Sequence, residues 1–177
     1  PSRKSLHSGF RTPSGKVELA LQRARDMGVE ALPSWQGVPE EKDPDFPLLL
    51  TSSKSRYYLH SSYRWLDSLR KKEPDPRARI HPETATHYGI RDGQWICIAT
   101  RRGTIVQKAE FSDRILPGVV HAAYGWWFPE ETGSHLGWER ANYNCLTSSD
   151  RLGSEFGTPN LKAVNCRISP VSGLSLD

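Results

Sequence analysis

The chain has 177 residues, of which 36% are apolar by the AVILMFWYC count, with 24 basic and 20 acidic side chains and a formal net charge of +4. This length fits one domain, or one domain with an arm, and the apolar content supports a packed core while excluding a disordered or collagen-like chain. The longest stretch without a charged residue, Ile115–Pro129, falls short of the roughly 20 apolar residues that a membrane-spanning helix needs.

The basic excess has no long Lys/Arg block, its densest run being Arg70-Lys71-Lys72. It reads either as a solvated surface or as attraction for an anionic partner such as phosphate. Cys97, Cys145 and Cys166 are odd in number, far apart and without CxxC spacing, so they read as free thiols and not as a disulfide or metal framework. The chain opens on Pro1 and its only Met is Met27, from which a piece of a longer polypeptide is expected, with its cellular location unreadable.

Residues 1–45 read as an arm. A basic, Ser-rich opening ends at Thr12-Pro13-Ser14-Gly15-Lys16, and Val17, Ala20, Leu21, Ala24 and Met27 then follow the spacing of a helix face, with Gly28 at its end. The segment Leu32–Pro47 is rich in proline and acid, the composition of a connector that packs little. From Phe46 the chain turns to short β-rich runs. Phe46–Thr51 has the length of a strand, Ala78–His81 is a second, and Pro82–Tyr88 has the Pro, early acid and following Gly89 of a one- or two-turn helix. Gln94–Thr100 and Thr104–Phe111 read as a hairpin about Arg102-Gly103, with Ile105, Gln107, Ala109 and Phe111 on one side of the second strand. Val119–Tyr124 follows the Pro117-Gly118 turn, Gly125–Thr158 has no clear period, and Leu161–Ile168 closes the series. Short strands at this spacing predict a mainly β domain over residues 46–177, a barrel or a sandwich.

The common fingerprints of hydrolases, zinc proteases and nucleotide-binding loops are absent. His60, His81, His87, His121 and His135 have no mutual ligand spacing. Two loops carry the chemistry that remains. Thr51–Arg64 follows the most apolar strand and offers Ser, Thr and Tyr hydroxyls, His60 and three cations, which suits phosphate and heterocycle edges or simply a solvated loop. Gly125-Trp126-Trp127-Phe128-Pro129-Glu130 is costly to expose, and either packs away or stacks on a flat ligand. Asn142 and Asn144 either cap turns or read the donor–acceptor edge of a pterin or purine.

The succession Thr12–Glu18, Phe46–Thr51, His60-Ser61-Ser62, Pro82-Glu83-Thr84-Ala85, Gly89–Ile96, Arg102-Gly103, Pro117–Val120, Gly125–Glu130, Asn142–Leu146 and Gly157–Lys162 resembles, in order, the C-terminal molybdopterin-dinucleotide-binding domain of the dimethyl sulfoxide reductase family. The aromatic loop and the Pro-Glu-Thr-Ala motif are most similar to the acetylene hydratase and thiosulfate/polysulfide reductase branches. The resemblance implies a six-stranded double-psi β-barrel with short helices, covering a molybdenum or tungsten bis(molybdopterin guanine dinucleotide) cofactor whose metal ligand lies outside this chain. It further implies that Thr51, Ser52, Ser53, Lys54, His60, Ser61, Trp127, Asn144 and Lys162 bind that cofactor and that none of them is catalytic. The partners it implies are N-terminal catalytic domains of the same enzyme, against which the arm would dock, and an electron-transfer subunit. Two departures stand out: many members carry Thr-Gly-Arg where this chain has Thr51-Ser52-Ser53-Lys54, and the spacing from Lys162 to Cys166 is longer than in some relatives. The residues also leave open a basic barrel that binds single-stranded nucleic acid, with Trp126, Trp127 and Phe128 stacking on bases and Arg56, Arg64, Arg70, Lys71 and Lys72 on phosphates, or an aromatic subunit interface.

Overall fold

A computed structural model describes residues 8–32, 34, 35, 37, 43–133, 135–150, 152, 153 and 157–171. The basic opening before residue 8, positions 33, 36 and 38–42 of the proline-rich connector and parts of the aperiodic segment after Gly125 lie outside them. The chain divides into two compact units, Pro1–Gly37 and Val38–Asp177.

In the first unit a turn closed by Phe10 N–H on the Gly15 carbonyl (2.9 Å) precedes one short helix, α1 (Gln22–Asp26). The apolar spacing from Val17 to Met27 predicts a longer helix than forms. Leu21 has an extended backbone and caps nothing, only Ala24 is buried in α1, and Val17 and Met27 are exposed. Helices this short depend on burying a face, and here one alanine supplies it. Gly28 ends the turn with a φ of +77°, as its position predicts.

The second unit is a closed six-stranded barrel. Its strands are β1 (Leu48–Ser53), β2 (Arg77–Ile80), β3 (Trp95–Ala99), β4 (Thr104–Phe111), β5 (Val119–Ala123) and β6 (Val164–Pro170), and the order around the wall is β1-β5-β2-β4-β3-β6. Two pairs are parallel, β1 with β5 and β2 with β4; the other four contacts are antiparallel. Alternation puts Leu48 and Leu50, Ala78 and Ile80, Ile96 and Ile98, Ile105 and Ala109, Val120 and Ala122, and Cys166 and Ile168 into one interior core. The hairpin and the sidedness of β4 match the sequence pattern, with Ile105, Gln107 and Ala109 buried.

Between β1 and β2 lies α2 (Asp67–Arg70), and between β2 and β3 lies α3 (Pro82–His87). The start of α3 has three signals in agreement: His81 accepts the Glu83 N–H at 3.2 Å, Pro82 fills the first turn, and Glu83 faces the positive end of the helix. The Thr84 hydroxyl accepts the Gly118 N–H at 2.9 Å and so pins the turn that precedes β5. After β5 come α4 (Trp138–Ala141) and a 3-10 turn at Tyr143–Leu146. Ahead of β1 the connector packs more than its composition predicts. Arg101 pairs with Asp43 and Asp45, and the Phe46 ring is buried between the Arg101 and Arg167 guanidiniums, about 5.0 and 5.1 Å away. Cys97 and Cys145 are half-buried free thiols, and Cys166 is buried in the barrel core.

Strand polarity fixes which loops share an end. β1, β5 and β3 finish, and β2, β4 and β6 begin, at one rim. The loops after Ser53 and Ala123, the β3–β4 turn and the approach to β6 through Lys162 all meet there.

Candidate functional site

The parallel pairing of β1 and β5 ends with Ser53 opposite Ala123, so the loops at 54–66 and 124–137 leave the wall side by side. They are joined by Arg64, whose side chain is fully buried. Its Nε donates to the Gly125 carbonyl at 3.1 Å, and its Nη2 donates to His60 at 3.2 Å and to Tyr124 at 3.4 Å. The guanidinium lies against two mutually perpendicular rings, Tyr58 at 4.3 Å and Trp126 at 4.0 Å. Burial pushes the Arg64 guanidinium down to about 10 against the opposing pull of Tyr58 and Glu73, and it remains a cation at neutral pH. Tyr58 is held in turn by its hydroxyl on the Glu73 carbonyl (2.7 Å), and Ser55 by its hydroxyl on the Glu73 carboxylate (2.6 Å).

Above this clasp sit His60, Ser61 and Trp127. The Trp127 indole N–H donates to the Ser61 carbonyl at 2.6 Å, and the Tyr124 hydroxyl meets His60 Nδ1 at 2.9 Å. Gly125 allows the approach: a Cβ there would lie 3.1 Å from the His60 carbonyl carbon and 3.2 Å from the Ser61 nitrogen. His60 and Tyr63 have φ of 54° and 74°, a left-handed backbone that costs about 1–2 kcal/mol per non-glycine residue and persists only where its surroundings enforce it. Tyr63 and Trp65 are exposed, and Trp65 lies 6.0 Å from Trp127.

The rest of the rim is tied to the same loops. The Asn142 side chain accepts the Asn144 N–H at 3.0 Å, capping the 3-10 turn, and its amide donates to the Trp126 carbonyl at 3.2 Å. It therefore caps a turn and links two loops at once. The Tyr143 hydroxyl donates to the Leu161 carbonyl at 2.8 Å, which joins the residue before Asn144 to the residue before Lys162. The Thr100 hydroxyl donates to the Leu146 carbonyl at 2.9 Å and seats the β3–β4 turn. Asn144 and Lys162 are exposed.

On the outer wall the register aligns Thr51, His121, Arg79 and Glu110 across β1, β5, β2 and β4. Arg79 pairs with Glu110 at 3.2 Å. Burial pushes His121 below its ordinary value, Arg79 adds to this, the Ser52 backbone opposes it, and Lys162 adds a further push. The two cations that disfavour the charged form of His121 make this stretch of wall a place where an anion is welcome.

The nine residues singled out in the sequence thus lie on β1 and on the loops at one end of the barrel, in three groups. His60, Ser61 and Trp127 touch directly, whereas Asn144 and Lys162 are joined through Tyr143 and Leu161. Thr51 and Ser53 face out along β1, Ser52 alternates inward and Lys54 is exposed at the strand end. Trp126 is buried and Trp127 and Phe128 are half-buried, so most of the aromatic run packs. The sequence offers Arg64 as a loop cation for phosphate, not as a buried clasp between loops. It leaves Gln107 and His121 without a role, although a glutamine on the apolar side of β4 is visible in the alternation. The donors suit a pterin dinucleotide: hydroxyls and two ammonium groups for phosphate oxygens, an exposed amide for a ring edge and an indole wall. Among the described residues no group of three or more His, Cys, Asp or Glu is arranged to hold a metal ion.

The family model of the molydopterin dinucleotide binding domain matches residues 48–165, which takes in β1 to β5 and the start of β6. The chain belongs to this family. This molybdopterin-dinucleotide-binding domain is 33% identical over 170 residues to the dopamine dehydroxylase of Eggerthella lenta, covering 90% of this chain and 17% of that protein. It is 33% identical over 167 residues to the acetylene hydratase of Syntrophotalea acetylenica, covering 87% and 23%. The solved structure of acetylene hydratase from Pelobacter acetylenicus superposes with a TM-score of 0.81 at 30% identity, covering 92% of this chain and 24% of that one. The dimethyl sulfoxide reductase family and the closed six-stranded double-psi barrel expected from the motifs are therefore both found, and with them the molybdopterin guanine dinucleotide as cofactor. The domain spans 17–24% of the length of these relatives.

Proposed function

We propose that the rim of the barrel covers and positions a molybdenum or tungsten bis(molybdopterin guanine dinucleotide), within a longer enzyme whose other domains seat the metal and supply its protein ligand. The observation that supports this reading is the polarity of the six strands, which brings the nine residues implied by the family resemblance to β1 and the loops at one end of the barrel. Lys54 and Lys162 would neutralise phosphate oxygens, with the hydroxyls of Thr51, Ser52, Ser53 and Ser61 donating beside them. Asn144 would read the amide edge of a guanine or pterin, His60 would donate or accept at its free ring nitrogen, and Trp127 would form a flat apolar wall that excludes water. When bound, the cofactor supplies the redox or hydration chemistry at its metal. The side chains named here bind and orient it and take no part in bond making.

On this reading residues 46–177 are the cofactor-binding domain and residues 1–45 an arm from the catalytic part, with exposed Phe10, Val17, Leu19, Leu21 and Met27 as its docking face. The parent is an oxidoreductase, or a hydratase as the acetylene relative is named, and a reductase parent would be served by an electron-transfer subunit. The nucleic-acid alternative loses one stacking platform, since Trp126 is fully buried beneath Arg64. The test is made on the full-length enzyme with Asn144→Ala and Lys162→Ala, assaying metal and released pterin guanine dinucleotide per mole of folded protein. Lower occupancy at unchanged folding is the expected result; full occupancy and activity in both variants would overturn the assignment.

A further inference from the structure

We propose that Arg64 is a positioning residue for the cofactor: by bridging the carbonyls of His60, Tyr124 and Gly125, its buried guanidinium sets the geometry in which the β1 and β5 loops meet the dinucleotide. The inference rests on the reading that this rim faces the cofactor.

A buried arginine is ordinarily matched by a carboxylate. Among the described residues Arg64 has none in ion-pair contact, and its partners are three neutral backbone carbonyls and two rings. For packing alone an apolar side chain of similar volume would serve as well or better. What an apolar side chain does not do is hold two separate loops at a fixed spacing. The three carbonyls are chosen to that end: His60 O belongs to the peptide that leads into Ser61, and Tyr124 O and Gly125 O belong to the two peptides that lead into Trp126, just before Trp127. The hydrogen bond between Trp127 and Ser61 forms across that spacing. The left-handed backbone at His60 and Tyr63 is strain on which the clasp acts, and loops fixed before the ligand arrives lose less freedom on binding it.

The interlock is steric as well as polar. Gly125 has a φ of +65°, and a Cβ there would lie 3.1 Å from the His60 carbonyl carbon and 3.2 Å from the Ser61 nitrogen, so a side chain would be strained and the two loops would have to give by a few tenths of an ångström. Lysine at position 64 keeps the charge, but its single ammonium lacks the planar fork that reaches acceptors on two loops. Charge and geometry are therefore separable by substitution.

The experiment uses the full-length holoenzyme with Arg64→Lys and, independently, Gly125→Ala. Two quantities are compared with wild type: the rate at which pterin guanine dinucleotide is lost on dilution, per mole of folded protein, and the urea midpoint of the apoprotein. We expect cofactor loss from the folded protein about tenfold faster in each variant, beyond what any fall in the midpoint accounts for, because the loops that meet the dinucleotide are loosened within the folded state. Wild-type retention in both variants would overturn the proposal, and so would cofactor loss that merely follows loss of folded protein. If Arg64→Lys does not fold, Gly125→Ala decides by the same two readings. Asn144→Ala and Lys162→Ala, run alongside, separate the two levels: if they lose cofactor while Arg64→Lys and Gly125→Ala do not, the rim reading stands and the clasp falls.

Discussion

Gln107, inside the barrel on β4, exchanges two hydrogen bonds with Ala123 at the end of β5. Its amide Nε2 donates to the Ala123 carbonyl at 2.8 Å and its Oε1 accepts the Ala123 N–H at 2.9 Å. The same Nε2 donates to the Ala141 carbonyl at 3.0 Å. β4 and β5 are not neighbours in the wall, so this side chain stands in for a strand partner at the point where β5 gives way to the aromatic loop.

Gln107→Leu fills similar volume and leaves three backbone groups without their partner. A buried polar group left unpaired costs about 1–3 kcal/mol, and partial relaxation should hold the total near 3 kcal/mol. Urea unfolding followed by tryptophan fluorescence would show this as a lowered midpoint with an unchanged slope. A midpoint equal to wild type would mean that water satisfies all three groups.

Gly103 is a second place where the rim depends on a missing side chain. A Cβ at this position would sit 2.7 Å from the Cys145 carbonyl oxygen, a contact that backbone must yield to. The cost of Gly103→Ala should therefore be steric, about 1–3 kcal/mol. The displaced partner is the turn that carries Asn144, so amide chemical shifts of residues 142–147 should move while those of α3 stay in place. Shifts confined to residues 101–105 would show that the hairpin absorbs the change instead.

The barrel was legible because its strands obey local rules. Period-two alternation marked the buried side of β4, the Pro82 and Gly89 signals bounded α3, and Pro117-Gly118 announced β5. The order of strands around the wall was not legible from alternation, since parallel β1 and β5 are paired across some seventy residues of sequence and no local pattern encodes that. It came with the family resemblance. The site divided in the same way. Hydroxyl and amide donors advertise themselves by residue type, whereas Arg64 looks like any surface arginine until the Tyr58 and Trp126 rings close over it. In α1 the failure ran the other way. The spacing of Val17, Leu21, Ala24 and Met27 is helical, but of these four only Ala24 is covered, and spacing without burial supports little helix.

His121 gives the domain a pH dependence whose sign can be worked out. Burial first, then Arg79 and, more weakly, Lys162 hold its folded value below the ordinary 6.5, against the Ser52 backbone. Between the two values the unfolded chain binds a proton that the folded chain does not, so stability falls as pH drops below 6.5 and levels off once the folded histidine also titrates. His121→Gln should flatten this part of the stability curve. Lys162→Met should narrow the window by letting the folded value rise, which the ring proton shifts of His121 in an NMR titration report directly. A folded value above that of the unfolded chain would reverse the sign and refute the assignment.

Tyr143 tests whether the two halves of the rim act together. Its ring is buried, and its hydroxyl bond to the Leu161 carbonyl at 2.8 Å connects the turn bearing Asn144 to the approach bearing Lys162. Tyr143→Phe keeps the ring and removes the bond, with an expected loss of about 1 kcal/mol of stability, the ordinary worth of one hydrogen bond. If the bond also sets where Lys162 sits, Tyr143→Phe should weaken cofactor retention in the full-length enzyme, and the loss should not add to that of Lys162→Ala. A double-mutant cycle reads the coupling, since residues acting through one structural link give less than the sum of their separate effects. Strict additivity would mean that Asn144 and Lys162 meet the cofactor independently and that Tyr143 serves the core alone.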